Sequence, residues 1–267
     1  DRVDRAFSQA CNEQSIQFIA MDPSLAQHTG ETSTLNSRRK LDSSRLSQFK
    51  DDGFDPGLVT LVTPTGARPE AFALLERWVQ NQRYTGQFEW IVVDDGHTPN
   101  LRKVIDKVQG EYLLVIEDDE YYGPDYLSTM VGQLQHADFV GERASKYYFV
   151  RERKWFQYPN WHHVALCRLG LRRPAFETLR QAITDTEDRQ VDLRAWSLWD
   201  GPRRVWLDST GSLRLGVGIK GMPGRKCGVR KAPQRSRSDP EAEKLEQMLG
   251  SDHTAYLKYF ERTSDDR

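Results

Sequence analysis

Four consecutive acids, Glu117, Asp118, Asp119 and Glu120, follow directly on the apolar run Leu113 to Ile116. That run has the length and β-branched character of a strand buried on both faces, and it is too short for a buried helix. The carboxylates therefore stand where a strand leaves the core. Like charges held this close raise one another's pKa unless a cation sits among them, and a hard divalent ion with oxygen ligands is the usual partner. The pattern predicts a metal site. The same residues also suit an acidic turn that caps a helix beginning near Pro124.

Two other polar clusters end apolar runs upstream. Thr63, Pro64, Thr65 and Arg68 follow Leu58 to Val62, and Asp94 and Asp95 follow Phe88 to Val93. Taken singly, each reads equally well as a turn. Downstream, Glu187, Asp188 and Asp192 suit the first turns of a helix capped by Asp185 or Thr186. Trp155, Phe156, Tyr158 and Trp161, beside His162 and His163, suit stacking on sugars or on unpaired bases, and each suits burial in the core as well. Lys220 and Arg225 sit in a Gly- and Pro-containing basic stretch that reads as a phosphate-seeking loop.

The elements that must position these groups alternate regularly. After the strand at 58–62 and the turn 63–68, Pro69 opens a helix with Ala71, Leu74, Leu75, Trp78 and Val79 on one face. The strand Phe88 to Val93 is followed by a short helix from Asn100 to Val108, and the strand 113–116 by a helix from about Pro124 to Gln135. Strand–helix alternation implies parallel pairing with right-handed crossovers. In such sheets ligands lie outside the carboxyl ends of the strands. Thr63, Thr65, Asp94, Asp95 and the acidic run would then converge on one edge, in an α/β fold with a mostly parallel central sheet flanked by helices.

The order of Val62-Thr-Pro-Thr65, Trp90-Ile-Val-Val-Asp-Asp-Gly96 and Gly110-Glu-Tyr-Leu-Leu-Val-Ile-Glu-Asp-Asp119 resembles the nucleotide-sugar half of family 2 glycosyltransferases with the Rossmann-like GT-A fold. The resemblance covers about residues 57 to 135 well and the rest more loosely. It implies that Thr63, Pro64, Thr65 and Arg68 line the nucleoside and that Asp94 or Asp95 meets the base or ribose. Glu117, Asp118 and Asp119 stand in for the Asp-X-Asp motif, with Asp119 the principal ligand of Mn2+ or Mg2+ and a UDP-sugar as donor. Glu187 and Asp188 match in order the acids that deprotonate the acceptor, with Asp192 one turn later. The family pattern departs in two places: the motif opens with Glu117, and no histidine lies between residues 164 and 252, so the loop's metal ligand is either missing or supplied by His253. Lys220 and Arg225 would neutralise the diphosphate instead.

Downstream, strands are expected at Asp138 to Val140, Tyr147 to Arg151, His163 to Cys167, Arg203 to Asp208 and Leu213 to Ile219, with a helix from Pro174 to Ile183. Two short amphipathic helices, Pro240 to Leu249 and His253 to Phe260, would close the chain. Residues 1–52 read as a polar arm in which only Ser15 to Met21 is able to pack. Residues 53–238 then form the catalytic domain, divided near 135, and 239–267 a helical end.

With 267 residues the chain is long enough for a sizeable core, and three scattered cysteines suggest neither disulfides nor a zinc knuckle. No apolar run is long enough to span a membrane and no signal-peptide pattern opens the chain, so cytoplasmic residence is the default. The chain starts at Asp1, as a processed product or a piece of a longer protein would. The net charge of −1 hides an asymmetry: nine Lys or Arg face two acids between Arg143 and Arg180, and ten face one between Gly201 and Ser238. A basic second half suits a polyanionic partner, in its sharpest form DNA carrying a hydroxymethylated base, as in enzymes of bacterial viruses. The alternatives are a cell-envelope glycan or protein acceptor, or an inert nucleotide- or nucleic-acid-binding module of the same fold. Oligomeric state stays open.

Overall fold

The computed structural model of the chain describes residues 16–20, 55–94, 101–159, 162–186, 190–207, 215–224 and 231–260, except Ala67, Arg102 and Pro202. In chain order the strands are β1 (Ile16–Ala20), β2 (Asp55–Thr65), β3 (Phe88–Asp94), β4 (Gly110–Val115), β5 (Glu120–Tyr122) and β6 (Phe139–Glu142). Then come β7 (Ala144–Phe149), β8 (Lys154–Pro159), β9 (Leu169–Arg172), β10 (Arg204–Leu207), β11 (Gly216–Lys220) and β12 (Arg237–Ser238). The helices are α1 (Pro69–Gln80), α2 (Tyr126–Leu134), α3 (Phe176–Asp185), α4 (Val191–Leu198), α5 (Glu243–Leu249) and α6 (Thr254–Leu257).

Among the described residues the strands form two sheets, one in the order β1-β3-β2-β4-β9-β6-β10 and one in the order β12-β8-β7-β11-β5. In the first, β3, β2 and β4 pair in parallel, β9 runs antiparallel between β4 and β6, and β10 is parallel to β6. Only β1, antiparallel to β3, and β9 run against the rest. This is the mostly parallel α/β sheet that the strand–helix alternation predicts. Side chains alternate between faces, so both must be covered. Val62, Ile91, Val93, Leu113 and Val115 pack with α3, α4 and the turn around Val104, while Leu61, Trp90, Val92 and Leu114 pack with α1 and α2. The second sheet packs Val217, Ile219 and Tyr148 with Trp78 of α1 and with the C-terminal helices. No helix among the described residues is long and apolar enough to cross a membrane.

Three local expectations change. β2 does not turn at Thr63 but runs on to Thr65, because β3 keeps pairing with it as far as Asp94. Pro64 is tolerated there because the β4 side of the ladder has ended at Val62, whose carbonyl accepts the Ile116 N–H. The segment expected as a strand at His163 to Cys167 is a loop ending in a 3-10 turn, Leu166–Arg168, closed by Arg168 N–H on the Ala165 carbonyl, and β9 starts only at Leu169. Finally, Lys220 ends a buried strand rather than opening a loop.

Candidate active site

Two of the crossings from the first sheet to the second run between β4 and β5 at 116–119 and between β6 and β7 at Arg143. Both crossings lie at the carboxyl edge of the parallel strands. β2 delivers Thr65 to that edge, β3 delivers Asp94 beside it, and β4 delivers Glu117, Asp118 and Asp119. The antiparallel β9 begins there, which places Arg168 at the seam. β11 brings Lys220 from the second sheet.

These groups form one buried network of charges. Asp118 accepts a hydrogen bond from Thr65 Oγ1 at 2.5 Å and pairs with the Arg68 guanidinium, which also lies 3.6 Å from Asp119 Oδ2. Lys220 Nζ bridges Asp119 Oδ2 at 2.9 Å and Glu120 Oε1 at 3.0 Å. Arg168 pairs with the other Glu120 oxygen and reaches Glu142 Oε2 at 3.2 Å. Burial pushes the Asp118 carboxyl up to about 6, with the Arg68 charge and the Thr65 hydrogen bond opposing. Burial also works against the Lys220 ammonium, but Asp119, Glu120 and Glu117 outweigh it and hold its pKa well above the ordinary lysine value.

The sequence of β11, Gly-Val-Gly-Ile-Lys, explains how the network fits. Val217 and Ile219 face the apolar core, while Gly216, Gly218 and Lys220 face the charges. A Cβ at 216 would overlap the Arg168 guanidinium, and one at 218 would stand 2.5 Å from the Tyr147 ring and 2.9 Å from Glu120 Oε1. Only side chains as small as hydrogen leave room for the ion pairs.

Of the predicted site residues, Thr65, Arg68, Asp118, Asp119 and Lys220 come together. Thr63 is sealed in the core, where its hydroxyl accepts the Trp90 Nε1–H at 2.8 Å. Pro64 lies within the strand between them. Glu117 is half-buried, and its N–H donates to Tyr122 Oη at 2.8 Å. Asp192 stands in the first turn of α4, its Oδ2 3.8 Å from His163 Nε2. His253 Nδ1 lies 2.8 Å from the Gly250 carbonyl within its own 3-10 turn. Asp95, Glu187, Asp188 and Arg225, and the side chain of Asp94, lie outside the described residues. Sequence reasoning missed Glu120, Glu142 and Arg168 as partners. Glu120 counted only as a fourth acid and Arg168 only as basic charge; the alternating glycines of β11 were the available signal.

A dication drawn to Asp119 would have to displace the Lys220 ammonium and sit against Arg68 as well. Glu117, Glu120 and Cys167 bring candidate ligand atoms within 4.8 Å of one another. However, burial, with Glu120 and Glu117 nearby, holds the Cys167 thiol protonated, and Glu120 is already shared by Lys220 and Arg168. That set is not the all-oxygen cage of a hard ion. As arranged, the described residues do not fit a resident metal. The unbalanced negative charge that implied one is met by Arg68, Lys220 and Arg168.

No protein-family model and no curated protein matches the chain. Among solved structures it is similar to S. aureus TarS residues 1–349 in complex with UDP-GlcNAc, 12% identical over 61% of this chain and 58% of that one, with a TM-score of 0.42. A second S. aureus TarS structure is 11% identical over 60% of this chain and 36% of that one, with a TM-score of 0.43. A glycosyltransferase involved in the glycosylation of the major capsid of PBCV-1 is 12% identical over 64% of this chain and 94% of that one, with a TM-score of 0.37. The chain thus spans 58% and 36% of the two TarS chains. At these identities and TM-scores the likeness says nothing about activity.

Proposed function

We propose that the chain is a glycosyltransferase that takes a sugar from a nucleoside diphosphate, in the narrower form a UDP-sugar, and passes it to an acceptor hydroxyl. One observation carries this reading: Thr65, Arg68, Asp118 and Asp119 gather at the carboxyl edge of three parallel strands, the place where open α/β sheets bind nucleotides. In the transfer the acceptor oxygen attacks the anomeric carbon and the bond from that carbon to the diphosphate oxygen breaks. The acceptor proton passes to a carboxylate, and negative charge develops on the leaving diphosphate. Thr65 lines the nucleoside, and Asp94 or Asp95 meets the base or ribose. Arg68 and Lys220 hold positive charge at the edge where the leaving group departs. The base comes from the segment that holds Glu187 and Asp188 and leads into Asp192.

The acceptor is a glycan on this reading. Arg168, Arg172, Arg180, Arg194 and Arg203 all pair with acids brought near by the fold, so much of the basic second half is balanced internally and the charge argument for duplex DNA weakens. Calorimetric titration with UDP, GDP and ADP, each with and without Mn2+, followed by hydrolysis assays on UDP-sugars, tests the reading. UDP binding that Asp119→Asn weakens, with slow release of free sugar, is expected. A protein that binds none of these nucleotides and turns over no donor is the inert module instead.

A further inference from the structure

We propose that the platform formed by half-buried Phe156 with exposed Tyr158 and Arg235 binds an acidic polysaccharide, holding the acceptor chain several units away from the hydroxyl that reacts. The proposal rests on the transferase reading above. Residues directly opposite on paired strands share a face, so Glu120, Gly218, Tyr147 and Phe156 form one row across the second sheet. The row starts inside the charge network. Because Gly218 has no side chain, the Tyr147 ring extends over it, and Lys220 Nζ lies 5.7 Å from the ring centroid. At its far end the row reaches the surface at Phe156, with Tyr158 two residues along the same strand and 42% exposed. Three strand spacings place Phe156 about 14 Å from Glu120. A single sugar ring does not span that gap, but an extended polymer does.

The chemistry of the platform selects the polymer. The Arg235 guanidinium stacks 4.5 Å from the Phe156 centroid and 5.8 Å from that of Tyr158. Arg235 is exposed and pairs with no carboxylate among the described residues, so its N–H edge is available to a ligand carboxylate or phosphate. Arg237, also exposed, stacks on Trp155, which points to the opposite face of the sheet, so Arg235 is the cation that serves this platform. Phe156 and Tyr158 are tilted 53° to each other with centroids 6.2 Å apart. That arrangement presents separate faces to the C–H bonds of puckered sugars rather than one continuous plane to stacked bases.

Calorimetry with alginate oligosaccharides, dextran oligosaccharides of equal length and a single-stranded oligonucleotide decides between the possible occupants. Alginate should bind with an affinity that falls as salt rises, while dextran binds at least about tenfold more weakly. Arg235→Gln and Tyr158→Ala should each weaken alginate binding by about tenfold. Both variants should keep the melting temperature and the UDP affinity of the unaltered protein. Alginate that fails to bind, that binds both variants as tightly as the parent, or that binds more weakly than the oligonucleotide would overturn the proposal. Loss of UDP binding in the parent protein would sink the donor reading while leaving this comparison intact.

Discussion

Gly216→Ala adds one methyl group to the space that the Arg168 guanidinium occupies. Arg168 is 1% exposed, and the side chains of its partners Glu120 and Glu142 are equally enclosed. Displacing the guanidinium leaves Glu142 without its cation and Glu120 with Lys220 alone. Breaking a buried pair by removing one partner costs about 3–5 kcal/mol. Arg168→Met should cost that much. Gly216→Ala should cost somewhat less, about 3 kcal/mol, since the end of an arginine can shift within its pocket. The informative variant is the double one. With Arg168 truncated, the methyl at 216 meets little, so the pair should cost no more than Arg168→Met alone, a coupling energy of about −3 kcal/mol. Urea unfolding followed by tryptophan fluorescence reads these values; at about 3 kcal/mol per molar, each single variant moves the midpoint by about 1 M or more. Additive single effects, or a Gly216→Ala midpoint within about 0.2 M of the parent, would refute the claim that the glycine exists to seat the arginine.

Glu89 is buried in β3, where it accepts hydrogen bonds from the Thr60 hydroxyl and the Gln109 N–H. Burial pushes its carboxyl up to about 7 despite those bonds and the Arg173 charge. Between pH 4.5 and 7 the folded state therefore binds more protons than the unfolded one, and stability falls as pH rises, by about 3 kcal/mol in total. Glu89→Gln should remove that slope and be the more stable protein at pH 8; parallel urea midpoints for the two proteins at pH 5 and pH 8 would falsify this. Electron paramagnetic resonance should detect no Mn2+ held by the free protein, whereas Lys220→Met, which uncovers Asp119 and Glu120, should gain a site. Stoichiometric Mn2+ on the unaltered protein would mean that Lys220 yields to a dication. Tyr256→Phe strips the acceptor from the buried Trp78 Nε1–H, 2.9 Å away, and should cost about 1–3 kcal/mol; an unchanged thermal midpoint would mean that this bond does not fasten the C-terminal helices.

Local periodicity was enough to read the donor half. Leu58 to Val62, Phe88 to Val93 and Leu113 to Ile116 are apolar runs bounded by turn or helix signals, and the rule that ligands sit at the carboxyl ends of parallel strands brought Thr65, Asp94 and Asp119 to one edge. The acidic run itself was legible as a cluster in need of compensation. Its partners were not, because Arg168 and Lys220 lie 48 and 100 residues from Glu120 and no local pattern links them. The run His163 to Cys167 carried the composition of a strand, yet tertiary contact bent its end into the turn that aims Arg168 inward. Sequence alone thus determined where negative charge accumulates. The tertiary structure decided which cations answer it, because a buried carboxylate is satisfied by whichever opposite charge the fold brings within about 3 Å, at any distance along the chain.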